Sequence, residues 1–304
     1  MSRAGEIPAQ LLRAPFRNTD AIRLGLTRHQ LEGGRFRHVF DDVYAAVQLP
    51  HSLELECAAA LLVLPSDAVF CGVTAARLYG LPVPDQDSGL HVAVRSAMPT
   101  PPRIRDLEVH EYTIPDAQLG WHDGWQVVRP ERLFLELAAA LPRLDLIVAG
   151  DAMLTRELTG PERLRMFLYE SYRRRGVRRA RQALPLLAKG VLSPPETRLR
   201  ILLVDAGLPC PVVNQPVYDR LGEVLATPDL SYPEFRIAIQ YEGGHHQAER
   251  EQYVYDIGRD DRLTDEGWIV VRITKEMLFG SPQMITNRIR LHLTHRRAAF
   301  NRAA

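Results

Sequence analysis

The sharpest pattern in the chain is an alternation near its C-terminal end. In Arg236-Ile237-Ala238-Ile239-Gln240-Tyr241-Glu242, residues Ile237, Ile239 and Tyr241 fall on one side and Ala238, Gln240 and Glu242 on the other. That predicts a strand with one strongly apolar face. A shorter alternating run, Glu223 to Thr227, leads into Pro228-Asp229, and the stretch from Val212 to Tyr218 precedes it across a turn at Asp219-Gly222. Three adjacent β segments are expected here, with the ends of two neighbouring strands bringing Asp229 close to Glu242. Ahead of them, Ser193 can cap a helix that has Pro194 at its first position, with Glu196 three residues on to complete a capping box. Leu199, Leu202 and Leu203 form its packing face, and Gly207 stops it. After them come a polar helix over about 246–266, the continuously apolar stretch Trp268 to Ile273, which reads as a central buried strand, and an amphipathic helix over about 276–295. The order is α-β-β-β-α-β-α.

The start of the chain has a different rhythm. Thr19 to Leu24 reads as a short helix stopped by Gly25, and Thr27 caps a second, Arg28 to Glu32, that ends at Gly33-Gly34. Phe36 to Phe40 and Val43 to Ala46 read as two strands around Asp41-Asp42. Helix, tight turn, helix and hairpin is the order of a winged helix-turn-helix, whose second helix enters the major groove. Here that helix would offer Arg28, His29 and Gln30, with Arg35 and Arg37 at the wing. The competing reading is a small helical domain used for packing or dimerisation. Apolar helices follow over 52–65 and 73–80, then strands over 90–94, 107–112 and 125–128. His91 and His110 fall on plausible neighbouring strands and could pair, although histidines on the polar face of a sheet are usually just solvated.

From Pro130 to about Ala188 the pattern is helical, with segments at 131–141, 144–156, 160–170 and 172–188. In the last, Arg174, Arg178 and Arg181 follow i, i+4, i+7 spacing, so three guanidiniums would share a stripe. Contact with a phosphate backbone is preferred over a merely solvated face. The expected organisation is an α+β or α/β multidomain protein: a winged helix-turn-helix over 1–50, a small α/β region over 51–130, a basic helical linker region over 131–192, and an α/β domain over 193–304.

Composition changes this picture little. The 304 residues are 46% hydrophobic and 25% charged, with a net charge of only +1. The positive charge is local: residues 151–192 hold ten arginines or lysines against four acids. Cys57, Cys71 and Cys210 are scattered, so neither a disulfide framework nor a structural zinc is expected. The N-terminus lacks the apolar core of a signal peptide, and no apolar run reaches the ~18 residues of a membrane span. A cytoplasmic protein without membrane contact is the expectation.

The chemistry gathers where the alternating strand stops. Asp229 and Glu242 are hard oxygen donors of the kind that hold Mg²⁺ or Mn²⁺, and His245 and His246 could move a proton at neutral pH. On the following helix, Asp256 and Arg259 share a face, and Arg259 and Arg262 could reach phosphate or orient Glu242.

Over residues 193 to about 295 the chain resembles the very-short-patch-repair (Vsr-like) endonucleases of the PD-(D/E)XK nuclease superfamily. The resemblance rests on Ser193-Pro194-Pro195-Glu196-Thr197-Arg198-Leu199-Arg200, Pro228-Asp229-Leu230, Glu242-Gly243-Gly244-His245-His246, and Asp256-x-x-Arg259 with Arg262-Leu263 before Gly267-Trp268. It implies a restriction-endonuclease-like α/β domain that cleaves DNA with a metal at Asp229 and Glu242. It also implies an acid near the metal at Glu196 and a backbone carbonyl ligand near Tyr241. The acid-x-Lys pair of the superfamily falls on Gln240 and Glu242, a departure that bears on catalytic strength. The mismatch enzymes' cysteine zinc set is missing. Residues 16–46, through Thr27-Arg28-His29-Gln30-Leu31 and Val43-Tyr44, resemble the winged-helix domain of AbiEi-type antitoxins. The expected function is a DNA endonuclease in repair, restriction or mobile-element defence. The alternative is a non-catalytic, antitoxin-like DNA-binding regulator with a decayed nuclease fold, partnered by a second copy or by a toxin-type protein.

Overall fold

The computed structural model describes residues 7–85, 89–94, 106–111, 114–219, 221–243 and 261–303. They form two compact units, Met1–Ala140 with Ser171–Val177, and Leu141–Glu170 with Arg178–Ala304. The fold is mixed α and β, an α+β multidomain arrangement with four sheets among the described residues. The expected linker region over 131–192 is not a body of its own, because its helices are shared between the two units.

In the first unit, β1 (Phe16–Arg17), α1 (Asn18–Arg23), α2 (Arg28–Leu31), β2 (Phe36–Phe40) and β3 (Val43–Ala46) make a small subassembly with an antiparallel sheet of order β1-β3-β2. Leu11, Phe16, Ala21, Leu26, Leu31, Phe36 and Tyr44 fill its core. Thr27 caps α2 reciprocally with Gln30. α2 has only four residues. The same unit holds α3 (Leu53–Leu61), β4 (Val69–Phe70), α4 (Gly72–Leu78), β5 (Leu90–Val94), β6 (Leu107–Glu111), β7 (Leu119–His122), β8 (Trp125–Val128) and α5 (Pro130–Ala140), with sheet order β6-β5-β4-β8-β7. β4 has two residues, too few to show an alternation, yet it is the middle strand.

The chain returns to this unit at residues 171–177, where Gly176 adopts φ +85° against α5. A Cβ there would stand 2.7 Å from the Ala139 nitrogen and 2.8 Å from the Leu135 oxygen, both backbone atoms that cannot give way. Gly176→Ala is therefore expected to cost about 2–5 kcal/mol, combining a left-handed penalty of roughly 1–2 with overpacking of roughly 1–3. A thermal melt of the variant checks this. Gly176 also breaks the expected helix over 172–188: Arg174 lies in a turn, and helix α8 (Val177–Ala183) begins only after it.

The second unit contains α6 (Arg143–Thr155), α7 (Pro161–Glu170), most of α8, α9 (Pro194–Asp205), β9 (Val212–Val213), β10 (Val217–Tyr218), β11 (Val224–Ala226), β12 (Leu230–Tyr232), β13 (Ile237–Glu242), the helical residues 261–265 (α10), β14 (Ile269–Thr274), α11 (Lys275–Gly280) and α12 (Pro282–Ala303). Its main sheet has the order β14-β13-β12-β9, while β10 and β11 pair as a separate ribbon. Two expectations change. The run Glu223 to Thr227 belongs to the ribbon rather than to the main sheet, and β14 lies at a sheet edge rather than in its centre. β14 reads as buried because both faces of the sheet are covered. Ile237, Ile239, Val271 and Ile273 pack with Leu199, Leu203, Ile285 and Ile289. Ala238 packs on the opposite face with Val217, Leu225, Leu263 and Trp268. The single helix expected over 276–295 is two, parted at Ser281 by Pro282.

Candidate functional site

β12 and β13 run antiparallel with Leu230 opposite Ile239, so Asp229 comes opposite Gln240. Asp229 Oδ2 accepts the Tyr241 backbone N–H at 2.7 Å. Asp229 thus stands at the start of a strand, not at the end of one as the alternation upstream suggested. The start of β12 meets the end of β13 because the pair is antiparallel. Gln240 is buried, and Glu242, two residues on, shares its face. A residue's N–H and C=O point to the same neighbouring strand, which puts the Tyr241 carbonyl on the side of Asp229. Burial, and then the nearby Glu276, raise the Tyr241 phenol above its ordinary value.

Glu196 joins this end of the sheet through Asn214. Its Oε2 accepts Asn214 Nδ2 at 2.6 Å and the Leu192 N–H at 3.0 Å, while Oε1 accepts the Ser193 hydroxyl at 2.7 Å. Asn214 in turn donates its own N–H to the Asp229 carbonyl at 3.0 Å. Ser193 is the N-cap residue, but the reciprocal capping box does not form: the Ser193 hydroxyl donates to Glu196, and Glu196 reaches the Leu192 N–H instead. Asn214 sits at φ +43°, a left-handed conformation that Asn tolerates better than most residues. It was not singled out from the sequence, since Asn214 fell inside the stretch Val212 to Tyr218 expected as a β segment.

Glu242 meets Arg272 of β14 at 2.6 Å, both side chains partly exposed. Arg272 lies opposite Gln240 in the parallel β13–β14 register. It too was missed, although a lone charge inside Ile269–Thr274 was the available signal. His245, His246, Asp256 and Arg259 lie outside the described residues. Arg262 is exposed on α10.

The expected DNA contacts divide. Arg28, His29 and Arg35 are exposed. The Gln30 side chain is turned back to the Thr27 N–H at 2.8 Å. Arg37 is not a wing contact of the kind expected: its guanidinium donates to the carbonyls of Ala46, Val47, Leu49 and Pro50, pinning the chain after β3. Arg174, Arg178 and Arg181 do not share one helix, because Arg174 precedes Gly176 and α8 begins at Val177. Arg178 is exposed, and Arg181 donates to the Leu168 carbonyl at 2.8 Å. A cationic stripe that the sequence reading passed over lies on α12, where burial and then Arg288, His295 and Arg296 lower the basicity of His292.

No protein-family model matches this sequence. Two Mycobacterium tuberculosis proteins, "Uncharacterized protein Rv2248" (strain H37Rv) and "Uncharacterized protein MT2308" (strain CDC 1551), are each 30% identical to it over 282 residues, covering 90% of this chain and all of theirs. The chain belongs to the Rv2248 family. The family match runs through both units. Among solved structures, the crystal structure of RV2827C protein from Mycobacterium tuberculosis aligns at a TM-score of 0.45 with 16% identity, over 67% of this chain and 83% of that one. No helix among the described residues is long and apolar enough to cross a membrane.

Proposed function

We propose that this protein is a metal-dependent DNA endonuclease, with a PD-(D/E)XK-like catalytic domain in its second unit and a winged-helix reader at its N-terminus. The observation that carries the reading is the hydrogen bond from the Tyr241 N–H to Asp229. It holds a carboxylate between Gln240 and Glu242 at one end of the main sheet. The donor set is made of hard oxygens and suits Mg²⁺ or Mn²⁺: the Asp229 and Glu242 carboxylates and the Tyr241 carbonyl. Such an ion would offset the charge that builds on a phosphodiester during hydrolysis. Asn214 and Glu196 position Asp229 through its backbone carbonyl rather than touching the reacting atoms. Arg272, which pairs with Glu242, is a candidate to contact a phosphate oxygen when DNA competes with that pair. His245 and His246 follow Glu242 closely in sequence and supply the proton-transfer candidates.

Incubation of the protein with supercoiled plasmid and short single-stranded DNA, with Mg²⁺, Mn²⁺ or EDTA, tests this reading. Cutting that requires metal supports it. Salt-dependent binding without cutting favours the second reading, an antitoxin-like regulator. Two observations recommend that rival: an amide at Gln240, and an Arg272–Glu242 pair that neutralises one of the two acids.

The N-terminal reader makes a separate prediction. Arg28→Ala should weaken DNA binding and reduce the slope of log affinity against log salt by about 1. Arg37→Ala should leave that slope unchanged and lower the melting temperature instead, because it strips donors from four carbonyls. Fluorescence anisotropy across a salt series, beside a thermal melt, separates the two.

A further inference from the structure

The five-stranded sheet of the first unit carries a second cluster of chemistry. β5 and β6 run parallel, with His91 beside Glu108 and Ala93 beside His110. The pleat therefore sets His91, Glu108 and His110 on one face. His91 Nδ1 lies 3.1 Å from His110 Nε2 and 3.5 Å from Glu108 Oε2, and the three donor atoms all fall within 4.8 Å of one another. Donor atoms held tetrahedrally at about 2.0–2.2 Å from a zinc ion stand roughly 3.3–3.6 Å apart. Two separations in the cluster are already close to that spacing.

We propose that His91, Glu108 and His110 form a binding site for a divalent transition-metal ion, with zinc as the best fit. Two imidazole nitrogens and one carboxylate suit zinc, whereas Mg²⁺ prefers a shell of oxygens. Three protein ligands leave one position for water or an exogenous ligand, the pattern of an open zinc site.

The cluster is preorganised at His91. The His91 N–H donates to Thr74 Oγ1 at 2.7 Å, and its carbonyl accepts the Cys71 N–H at 3.1 Å. Gly72 lies against the ring at φ +52°, where a Cβ would stand 3.5 Å from His91 Cβ and Cγ. Its N–H is anchored on Glu136 Oε2 at 3.0 Å. The His91 side chain is only 12% exposed, whereas Glu108 is 59% exposed and gives an ion access from solvent. Without metal, the 3.1 Å contact between ring nitrogens requires one of them to carry a proton, and the near-parallel rings, 15° apart, suit that bond. Metal entry needs both facing nitrogens unprotonated, so the ring that carries the proton of this contact shifts it to its other nitrogen, a change of tautomer.

The cysteine count argued against a structural zinc, and the sequence offered His91 and His110 only as a plausible pair on neighbouring strands. The β5–β6 register adds Glu108 to them. The site is independent of the Asp229 reading, since it lies in the other unit.

The test uses full-length protein freed of metal with a chelator and titrated with Co²⁺ as a spectroscopic probe, followed by Zn²⁺ competition. Wild type and Asp229→Ala are expected to bind one Co²⁺ with a visible ligand-field band that Zn²⁺ removes. His110→Gln should lose the band, and Glu108→Gln should bind roughly tenfold more weakly or worse. Far-UV circular dichroism of the metal-free variants establishes that they are folded, and if His110→Gln is not, the exposed Glu108→Gln decides alone. Absence of stoichiometric Co²⁺ binding in wild type overturns the proposal. So does a band that survives both substitutions, or one lost in Asp229→Ala but kept in His110→Gln. Failure of DNA cleavage leaves these outcomes unchanged, so the two readings fail separately.

Discussion

Asp229→Ala is expected to abolish metal-dependent DNA cleavage, by on the order of a thousandfold or more, while leaving the protein folded. Removing one donor aimed at charge that develops in a transition state commonly costs on the order of 10²–10³ in rate, and here the lost group would hold the ion itself. The structural cost is small. Asp229 is half-buried, and its loss leaves the Tyr241 N–H without the acceptor it has at 2.7 Å, worth about 1–3 kcal/mol. Plasmid cleavage in Mg²⁺ or Mn²⁺, read beside the melting curve, separates catalysis from folding. Undiminished cutting by a folded variant would sink the site assignment. The companion protein is Gln240→Glu, which places a second carboxylate directly opposite Asp229. Should wild type bind without cutting and Gln240→Glu cut, the amide is what silenced the site. Should both only bind, the regulator reading stands.

Asp151→Ala is expected to produce the largest loss of stability in the second unit. Asp151 on α6 and Arg200 on α9 are 1% and 2% exposed and meet at 2.7 Å. Asp151 also accepts the Thr197 hydroxyl at 2.8 Å and the Ala188 N–H at 2.8 Å. Burial raises the Asp151 carboxyl above its ordinary value, and Arg200 with these donors offsets only part of that rise. Removing the acid leaves a guanidinium in the interior without its counter-charge, a change that typically costs about 3–5 kcal/mol. The Arg200 Nε already lacks an acceptor among the described residues, so nothing stands ready to take over. For a unit of this size the melting temperature should fall on the order of 10 °C. The double replacement Asp151→Leu with Arg200→Met should recover most of the loss, because neither charge is then stranded. A melt as low for the double as for the single variant would show that the shape of the pair, not its charge, matters.

This pair illustrates what a reading of the residues alone misses. Arg200 fell within the quoted helix signature as one more basic residue, and Asp151 stood in an apolar segment 49 positions earlier. Each is unremarkable by itself, and only the packing of α6 against α9 makes them a unit. The same holds for the candidate site. Asp229, Gln240 and Glu242 could be singled out because hydrophobic alternation marks a strand and where it stops. Asn214 and Arg272 could not, because they reach the site through strand pairing and a left-handed backbone that leave no periodic trace. Arg37 shows the converse. An exposed wing cation was a fair expectation from spacing, but four nearby carbonyls use its guanidinium.

By itself, the sequence determined the local elements: the strand over Ile237–Glu242, the strands Leu90–Val94 and Trp125–Val128, the helix beginning after Ser193, and the short helices and hairpin before residue 47. Side-chain periodicity, caps and glycine stops act over a few residues and are written in neighbouring positions. Tertiary structure alone decided the partners. It placed β14 at an edge, set Asp229 at the start of a strand, divided the arginines of 173–181 between two units, and added Glu108 to the His91–His110 pair. Those outcomes depend on which strands pair and in what register, an energy shared among many distant residues and recorded in none of them singly.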